Sequence, residues 1–137
     1  GYNYRMTNLQ AAIGLAQLER IEYIHKNRRQ YEDNYKKVLC TESYKFQNDL
    51  KNRTRITWLV GVLVGANYRD EFIEKLKDNG IDARPFFYLL SDMDIYKKYS
   101  HSVSSVAKKI SRCGINLPTY ESLKSLKQIE IVVNKII

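Results

Sequence analysis

Apolar residues recur at helical spacing through the opening of the chain. Leu9, Ile13, Ala16, Leu18, Ile21, Ile24, Tyr31, Tyr35 and Val38 fall mostly three or four positions apart. No proline interrupts Thr7 to Leu39, and Gly14 is the only glycine there. The pattern predicts one helix of about 33 residues, roughly 50 Å long. That exceeds a small domain, so the helix either kinks or bridges two bodies, and bridging is the expectation. Thr7 followed by Gln10 is a capping-box pair, in which the hydroxyl takes a free N–H of the first turn and the amide reaches back. Ala11, Ala12, Gly14 and Ala16 leave room for another element to come close.

After Leu39 the period changes. Residues 41–55 are polar and read as a connection with at most one short strand near Tyr44 and Phe46. The run from Thr57 to Val64, which includes Trp58, is apolar on both faces, as a central strand covered on each side would be. A helix starts within Asn67–Asp70, shows Phe72, Ile73 and Leu76 on one face, and stops at Asn79-Gly80. Ile81 to Phe87 reads as a second strand, stiffened or ended near Pro85. Tyr88 to Ser100 is irregular, with one helical turn around Tyr96. Val103, Val106 and Ile110 mark a short helix closed at Gly114, and Ile115-Asn116-Leu117 is a short strand ended by Pro118. Ser125 with Gln128 repeats the capping pair before Leu126, Ile129, Val132, Val133 and Ile136. The succession implies an α+β fold: a long N-terminal helix, then a three- to four-stranded antiparallel or mixed sheet with helices packed on it. Residues 1–40 form the opening segment and bridging helix, residues 41–137 the α+β body, together one structural unit.

Composition narrows the function classes. With 137 residues the chain is one domain, and 44% hydrophobic against 28% charged residues is ordinary for a globular protein. No apolar run approaches the roughly 20 residues of a membrane span and no signal-peptide pattern opens the chain, so no membrane association and a cytoplasmic location are expected. The net charge of +8 permits anionic partners. Its basic pairs are scattered, as at Lys36-Lys37, Lys97-Lys98 and Lys108-Lys109, so solvated surface is the expected role and nucleic acid is not the expected partner. Cys40 and Cys113 stand alone, and His25 and His101 have no ligand-spaced companions, so no metal site is expected. There is no phosphate-binding P-loop and no G-x-S-x-G nucleophile. Asp92 and Asp94 fall in a loop, where solvation explains them. No catalytic residue is assigned. Gly1 in place of an initiator methionine, with Met6 inside a patterned segment, leads us to expect a piece of a longer protein.

Two clusters carry candidate chemistry. Asn3 and Arg5 sit just before the capped helix start, where an amide donor and a guanidinium suit an anion such as a phosphate. Asp82-Ala83-Arg84-Pro85-Phe86-Phe87-Tyr88 gathers charges, a rigid residue and three aromatics at a strand end. Those rings and Arg84 either line a pocket for a nucleotide or sugar, or are core with a surface ion pair.

Both clusters resemble signatures of the DegT–DnrJ–StrS family, pyridoxal-phosphate-dependent aminotransferases that act on nucleotide-linked keto sugars. Gly1-Tyr2-Asn3-Tyr4-Arg5-Met6, with Ala11-Ala12-Ile13-Gly14 and Gln17-Leu18, is similar to the family's G-x-N-x-R-M … A-A-I-G-x-x-Q-L segment. Gly80 to Tyr88 resembles a stretch found in members of the perosamine synthetase type. Leu117-Pro118-Thr119-Tyr120 with Leu123 resembles the closing L-P-x-Y-x-x-L.

The resemblance implies the small C-terminal domain of a fold type I aminotransferase, a homodimer using pyridoxal 5'-phosphate with glutamate and a nucleotide sugar as substrates. It places the Schiff-base lysine and the acidic partner of the pyridine nitrogen in a missing N-terminal cofactor domain, so this chain alone is expected to be inactive and to bind no cofactor. It gives Asn3, with Arg5 beside it, to the cofactor phosphate of the other subunit. It gives Arg84, Phe87 and Tyr88 to the border of the substrate site. Relatives commonly continue with Pro-Leu-His where this chain has Leu89-Leu90-Ser91. The other readings are a free-standing basic α+β module that binds nucleic acid, and a degenerate, inactive relative.

Overall fold

A computed structural model of the chain describes residues 1–99, 102, 104–120, 130 and 134. The second capping pair, Ser125 with Gln128, and the helix expected after it lie outside the described residues. The expected long helix is two helices. α1 runs over Asn8–Leu18 and α2 over Ile21–Val38, separated at Glu19 and Arg20. Arg20 turns its N–H to the Gln17 carbonyl at 3.2 Å and takes φ −106°, ψ 6°, which breaks the ladder and restarts it from the Arg20 carbonyl. Neither proline nor glycine marks the junction, so local propensity gave no sign of it. The capping box is formed: the Gln10 N–H donates to Thr7 Oγ1 at 3.3 Å, and the Thr7 N–H donates to Gln10 Oε1 at 2.9 Å.

Four short strands make one antiparallel sheet in the order β1-β2-β4-β3: β1 Lys45–Phe46, β2 Val60–Leu63, β3 Arg84–Pro85 and β4 Gly114–Leu117. Helix α3, Arg69–Asp78, joins β2 to β3. Two turns of 3-10 helix, Leu90–Asp92 and Lys97–Tyr99, and then α4, Ser105–Cys113, lead into β4. One sheet face is the core. Val60 and Val62 lie opposite Leu117 and Ile115 in register, and Phe72 and Leu76 of α3 close over them with Tyr35 and the neighbouring Leu39 from α2. The other face is not symmetrically covered: Gly61 and Leu63 are half-buried where Val60 and Val62 are buried. The expected two-sided burial therefore holds for one side only. Trp58 belongs to neither face of the ladder; it precedes β2 and is 63% exposed.

The strand expected over Ile81–Phe87 shrinks to Arg84–Pro85. β3 is an edge strand, where Pro85 can sit without an N–H to give. The chain reaches it through a tight stop after α3. Gly80 at φ +79° donates to the Lys77 carbonyl, and Ile81 donates back to the Leu76 carbonyl, both at 2.9 Å. That pair of bonds is a Schellman cap, and the left-handed residue it needs is glycine.

Helix α2 is held to the sheet by a polar stripe. Arg28, Glu32, Tyr35 and Leu39 follow one another at four, three and four positions, so they share a face. Glu32 is 2% exposed, and its carboxylate accepts from Arg55, from Lys36 at 2.8 Å and from the Thr57 hydroxyl at 2.8 Å. Asp49 adds bonds from Arg29 and Arg55 at the rim. Burial alone would raise the Glu32 pKa; the bonds from Arg55, Lys36 and Thr57 reverse that and hold it at about 2. One turn on, the Tyr35 hydroxyl donates to the Pro118 carbonyl at 3.0 Å. Burial, with Tyr120 nearby, pushes that phenol up and keeps it protonated to donate.

A carboxylate whose folded pKa lies below its ordinary 4.5 stabilises the fold above that value and loses its contribution as pH falls toward 2. Thermal unfolding followed by circular dichroism is expected to show that acid limb. Glu32→Gln is expected to cost about 2–4 kcal/mol near neutrality and to flatten the limb, because it strands Arg55 and Lys36 beside an uncharged amide. An unchanged limb in this variant would contradict the role given to Glu32.

Candidate functional site

The first candidate cluster is a local turn in the open. Asn3 Oδ1 accepts the Arg5 backbone N–H at 3.0 Å, with the Arg5 Nε at 3.5 Å. The carbonyl side of the amide is thereby occupied. Among the described residues, neither Asn3 Nδ2 nor the Arg5 terminal nitrogens meet a protein acceptor, so both groups present donors outward. Tyr2 and Tyr4 flank them, each 88% exposed, with ring centroids 6.1 Å apart. The helix that follows buries none of its residues, and Leu9, Ile13, Leu15 and Leu18 are all exposed. Apolar residues placed around a whole helix are the pattern of one that is covered on all sides.

The second cluster is built on the half-covered sheet face. Arg84 lies in register with Asn116, which lies in register with Gly61, so the three share that face. Arg84 Nη2 meets Asp82 Oδ2 at 2.8 Å; the bond lowers the Asp82 pKa and raises that of Arg84. Both side chains are exposed, so the pair contributes little to stability and Arg84 can exchange partners.

The three aromatics have three different environments. Phe86 lies across Gly61 and Gly114: a Cβ on Gly61 would fall 2.6 Å from its Cζ, and one on Gly114 would fall 2.3 Å from its Cγ. Its N–H continues the ladder to the Gly114 carbonyl at 3.0 Å. Phe86 is thus an anchor. Phe87, next in sequence, is 71% exposed and stacks on Trp58, with centroids 6.3 Å apart and planes 11° from parallel. Tyr88 is 82% exposed.

Both stacked residues are fixed through their backbones. Arg28 Nη1 donates to the Trp58 carbonyl at 2.7 Å, and Ser111 Oγ donates to the Phe87 carbonyl at 3.1 Å. Ser111 is itself tied by Arg69, whose Nη1 donates to the Ser111 carbonyl at 2.9 Å.

Arg84, Phe87 and Tyr88 are thus all exposed, within five residues of one another at the end of β3. No described hydrogen bond, ion pair or ring contact joins them to Asn3 and Arg5. Sequence reasoning missed Trp58, because its alternation with Val60 and Val62 put it on the core face. The sign to the contrary lay in its neighbour. Thr57 is drawn inward by Glu32, and that turns Trp58 outward before the chain enters the ladder. Among the described residues no group of three His, Cys, Asp or Glu side chains is placed to hold a metal, and no helix is long and apolar enough to cross a membrane.

The sequence model of the DegT/DnrJ/EryC1/StrS aminotransferase family matches residues 1–137. A GDP-perosamine synthase of Escherichia coli O157:H7 is 36% identical over 132 residues, covering 96% of this chain and 36% of that protein. A GDP-perosamine synthase of Vibrio cholerae is 33% identical over 126 residues, covering 89% of this chain and 34% of that protein. The chain thus spans about a third of the length of the relatives it matches. In structure it is similar to the sugar aminotransferase CalS13 from Micromonospora echinospora, with TM-score 0.84 and 17% identity over 98% of this chain and 37% of that one. Helicobacter pylori PseC, an aminotransferase involved in the biosynthesis of pseudoaminic acid, gives TM-score 0.82 and 20% identity over 98% of this chain and 38% of that one. At those identities the likeness shows the α+β fold.

The Phe86 anchor makes a prediction. Gly114→Ala drives a methyl group into the Phe86 ring and to 2.7 Å from the Ile110 carbonyl. It is expected to cost about 1–3 kcal/mol and to pull Phe87 off Trp58. The chain has a single tryptophan, so emission of Trp58 reports the second effect directly. Gly65→Ala, whose Cβ would sit 3.8 Å from the Tyr68 Cβ, is the control expected to leave that emission unchanged.

Proposed function

The chain belongs to the DegT/DnrJ/EryC1/StrS aminotransferase family, and we propose that it is the C-terminal part of an enzyme that transfers an amino group from glutamate to a nucleotide-linked keto-deoxy sugar. The observation that carries this reading is the match of all 137 residues to the family, at about a third of the length of relatives named as GDP-perosamine synthases. The names of these relatives favour a perosamine-type amino sugar linked to a nucleoside diphosphate as the product.

Pyridoxal phosphate supplies the carbanion-stabilising chemistry of such an enzyme when bound. This chain's own part is to bind and orient. Asn3 Nδ2 and Arg5 present donors without protein acceptors among the described residues, which fits the phosphate of that cofactor. In a homodimer they reach the phosphate held by the neighbouring subunit. Arg84 meets the charged diphosphate of the sugar nucleotide by exchanging its exposed Asp82 partner, and Phe87 and Tyr88 border the same substrate. Ser91, at the place where relatives often have histidine, bears on which sugar is accepted. On this reading the Schiff-base lysine belongs to the cofactor domain of the longer enzyme, and the chain by itself does not transaminate. A cytoplasmic setting, where sugar nucleotides are made, goes with this reading.

The nucleic-acid reading gains nothing from the structure. Arg29, Lys36 and Arg55 face Glu32 and Asp49, and Arg28 faces a backbone carbonyl, so part of the +8 charge is engaged within the fold.

The test uses the longer protein that carries this chain. With pyridoxal phosphate its visible absorption is expected to shift when glutamate is added, and the 137-residue chain alone is expected to show no such shift. Asn3→Ala is expected to weaken cofactor affinity by roughly 10- to 100-fold, the worth of a hydrogen bond to a charged group. A gene whose preceding sequence encodes no lysine-bearing cofactor domain would sink the proposal.

A further inference from the structure

The exposed pair of Trp58 and Phe87 needs an explanation that packing does not give. Tryptophan is the largest apolar side chain, and the only one in this chain is 63% exposed at the entry to the central strand. Its stacking on Phe87 is offset, and Phe87 remains 71% exposed. A contact made only to hide apolar surface would leave less in water. The backbone beneath both rings is nonetheless tied down. α2 fixes the Trp58 carbonyl through Arg28, α4 fixes the Phe87 carbonyl through Ser111, and the Phe86 ring seated over Gly61 and Gly114 fixes the residue just before Phe87. Three separate contacts thus converge on the backbone that presents two nearly parallel, exposed rings.

We propose that Trp58, stacked with Phe87, is the platform on which the base of the substrate's nucleotide lies. The inference rests on the nucleotide-sugar reading above and adds a residue outside the segment that reading drew on. Aromatic faces accept a planar base through stacking, and preorganised rings lose little freedom when they do so. Arg84 stands three residues before Phe87, on the half-covered face, and supplies the positive charge that a diphosphate next to the base requires. A purine covers more of the paired rings than a pyrimidine, so guanosine diphosphate binds more tightly here than uridine diphosphate.

Trp58 is its own reporter. The longer protein that carries this chain is titrated with guanosine diphosphate, and with ribose 5-phosphate as the ligand that lacks a base, while its tryptophan emission is followed against that of its Trp58→Phe variant. Saturable quenching by guanosine diphosphate and none by ribose 5-phosphate is expected. Calorimetry then reads the variants: Trp58→Ala and Phe87→Ala are expected to lose affinity by about 5- to 100-fold, the range of one base stack. Trp58→Phe is expected to keep most of it. Circular dichroism spectra that match the parent protein keep these variants interpretable, since neither side chain is in the core. Four results overturn the platform: no binding of guanosine diphosphate, equal quenching by ribose 5-phosphate, unchanged affinity in Trp58→Ala, or a Trp58→Ala variant that loses stability and not affinity. None of them touches the family reading. That reading is tested by the glutamate-driven absorption change, which needs no nucleotide.

Discussion

A buried carboxylate decides how this fold is assembled. Glu32 is taken out of water on α2, and a buried anion is costly unless it is surrounded by donors. Arg55 and Thr57 come from the approach to β2, Lys36 from the next turn of α2, and Arg29 with Asp49 close the rim. Satisfying that one charge therefore fixes the helix against the strand and sets where the chain enters the sheet. Tyr35, on the same stripe, adds a second tie through the Pro118 carbonyl. Thr119 completes the arrangement from the other side. Its hydroxyl accepts the Val60 N–H and donates to the Leu117 carbonyl, both at 2.9 Å, so the pairing of β2 with β4 outlasts the proline that lacks a donor. The closing Leu-Pro-Thr-Tyr motif has a structural role that its sequence signature alone does not explain.

The candidate substrate surface inherits its geometry from these ties. Thr57 turns inward to reach Glu32, so its neighbour Trp58 turns outward. On the far edge of the sheet Phe86 is drawn into the slot left by two glycines, so Phe87 emerges beside it. The two exposed rings meet where their sequence neighbours, buried Thr57 and half-buried Phe86, are held by the fold. Arg84, paired with exposed Asp82, is itself exposed on the half-covered face.

The opening segment is of a different kind. It is ordered within itself, by the capping box and by the Asn3 turn, and yet α1 buries nothing. Local hydrogen bonds are enough to form a helix start; they do not give apolar side chains anywhere to go. A helix apolar on all sides, with two donor groups at its head, fits a chain that covers about a third of its relatives' length and completes a site with the remainder. In the proposed enzyme Asn3 and Arg5 would be half of a composite site.

Much of this was legible from residue order alone. The capping box at Thr7 and Gln10, the stop at Gly80, the strand ended by Pro118 and the α+β class follow from short-range rules: hydroxyls that cap, glycine that adopts positive φ, proline that cannot donate. The motifs at Asn3–Arg5 and Arg84–Tyr88 were also visible, because a family signature is carried by identity and spacing. Tertiary structure decided the rest. The break at Glu19–Arg20 carries no glycine or proline. Which residues of α2 face the sheet was hidden because its inward stripe includes half-buried Arg28 and buried Glu32, which hydrophobic periodicity counts as surface. The outward turn of Trp58 depends on a carboxylate 25 positions from Thr57. Local pattern specifies what a residue prefers, and only the fold supplies the partner that overrules the preference.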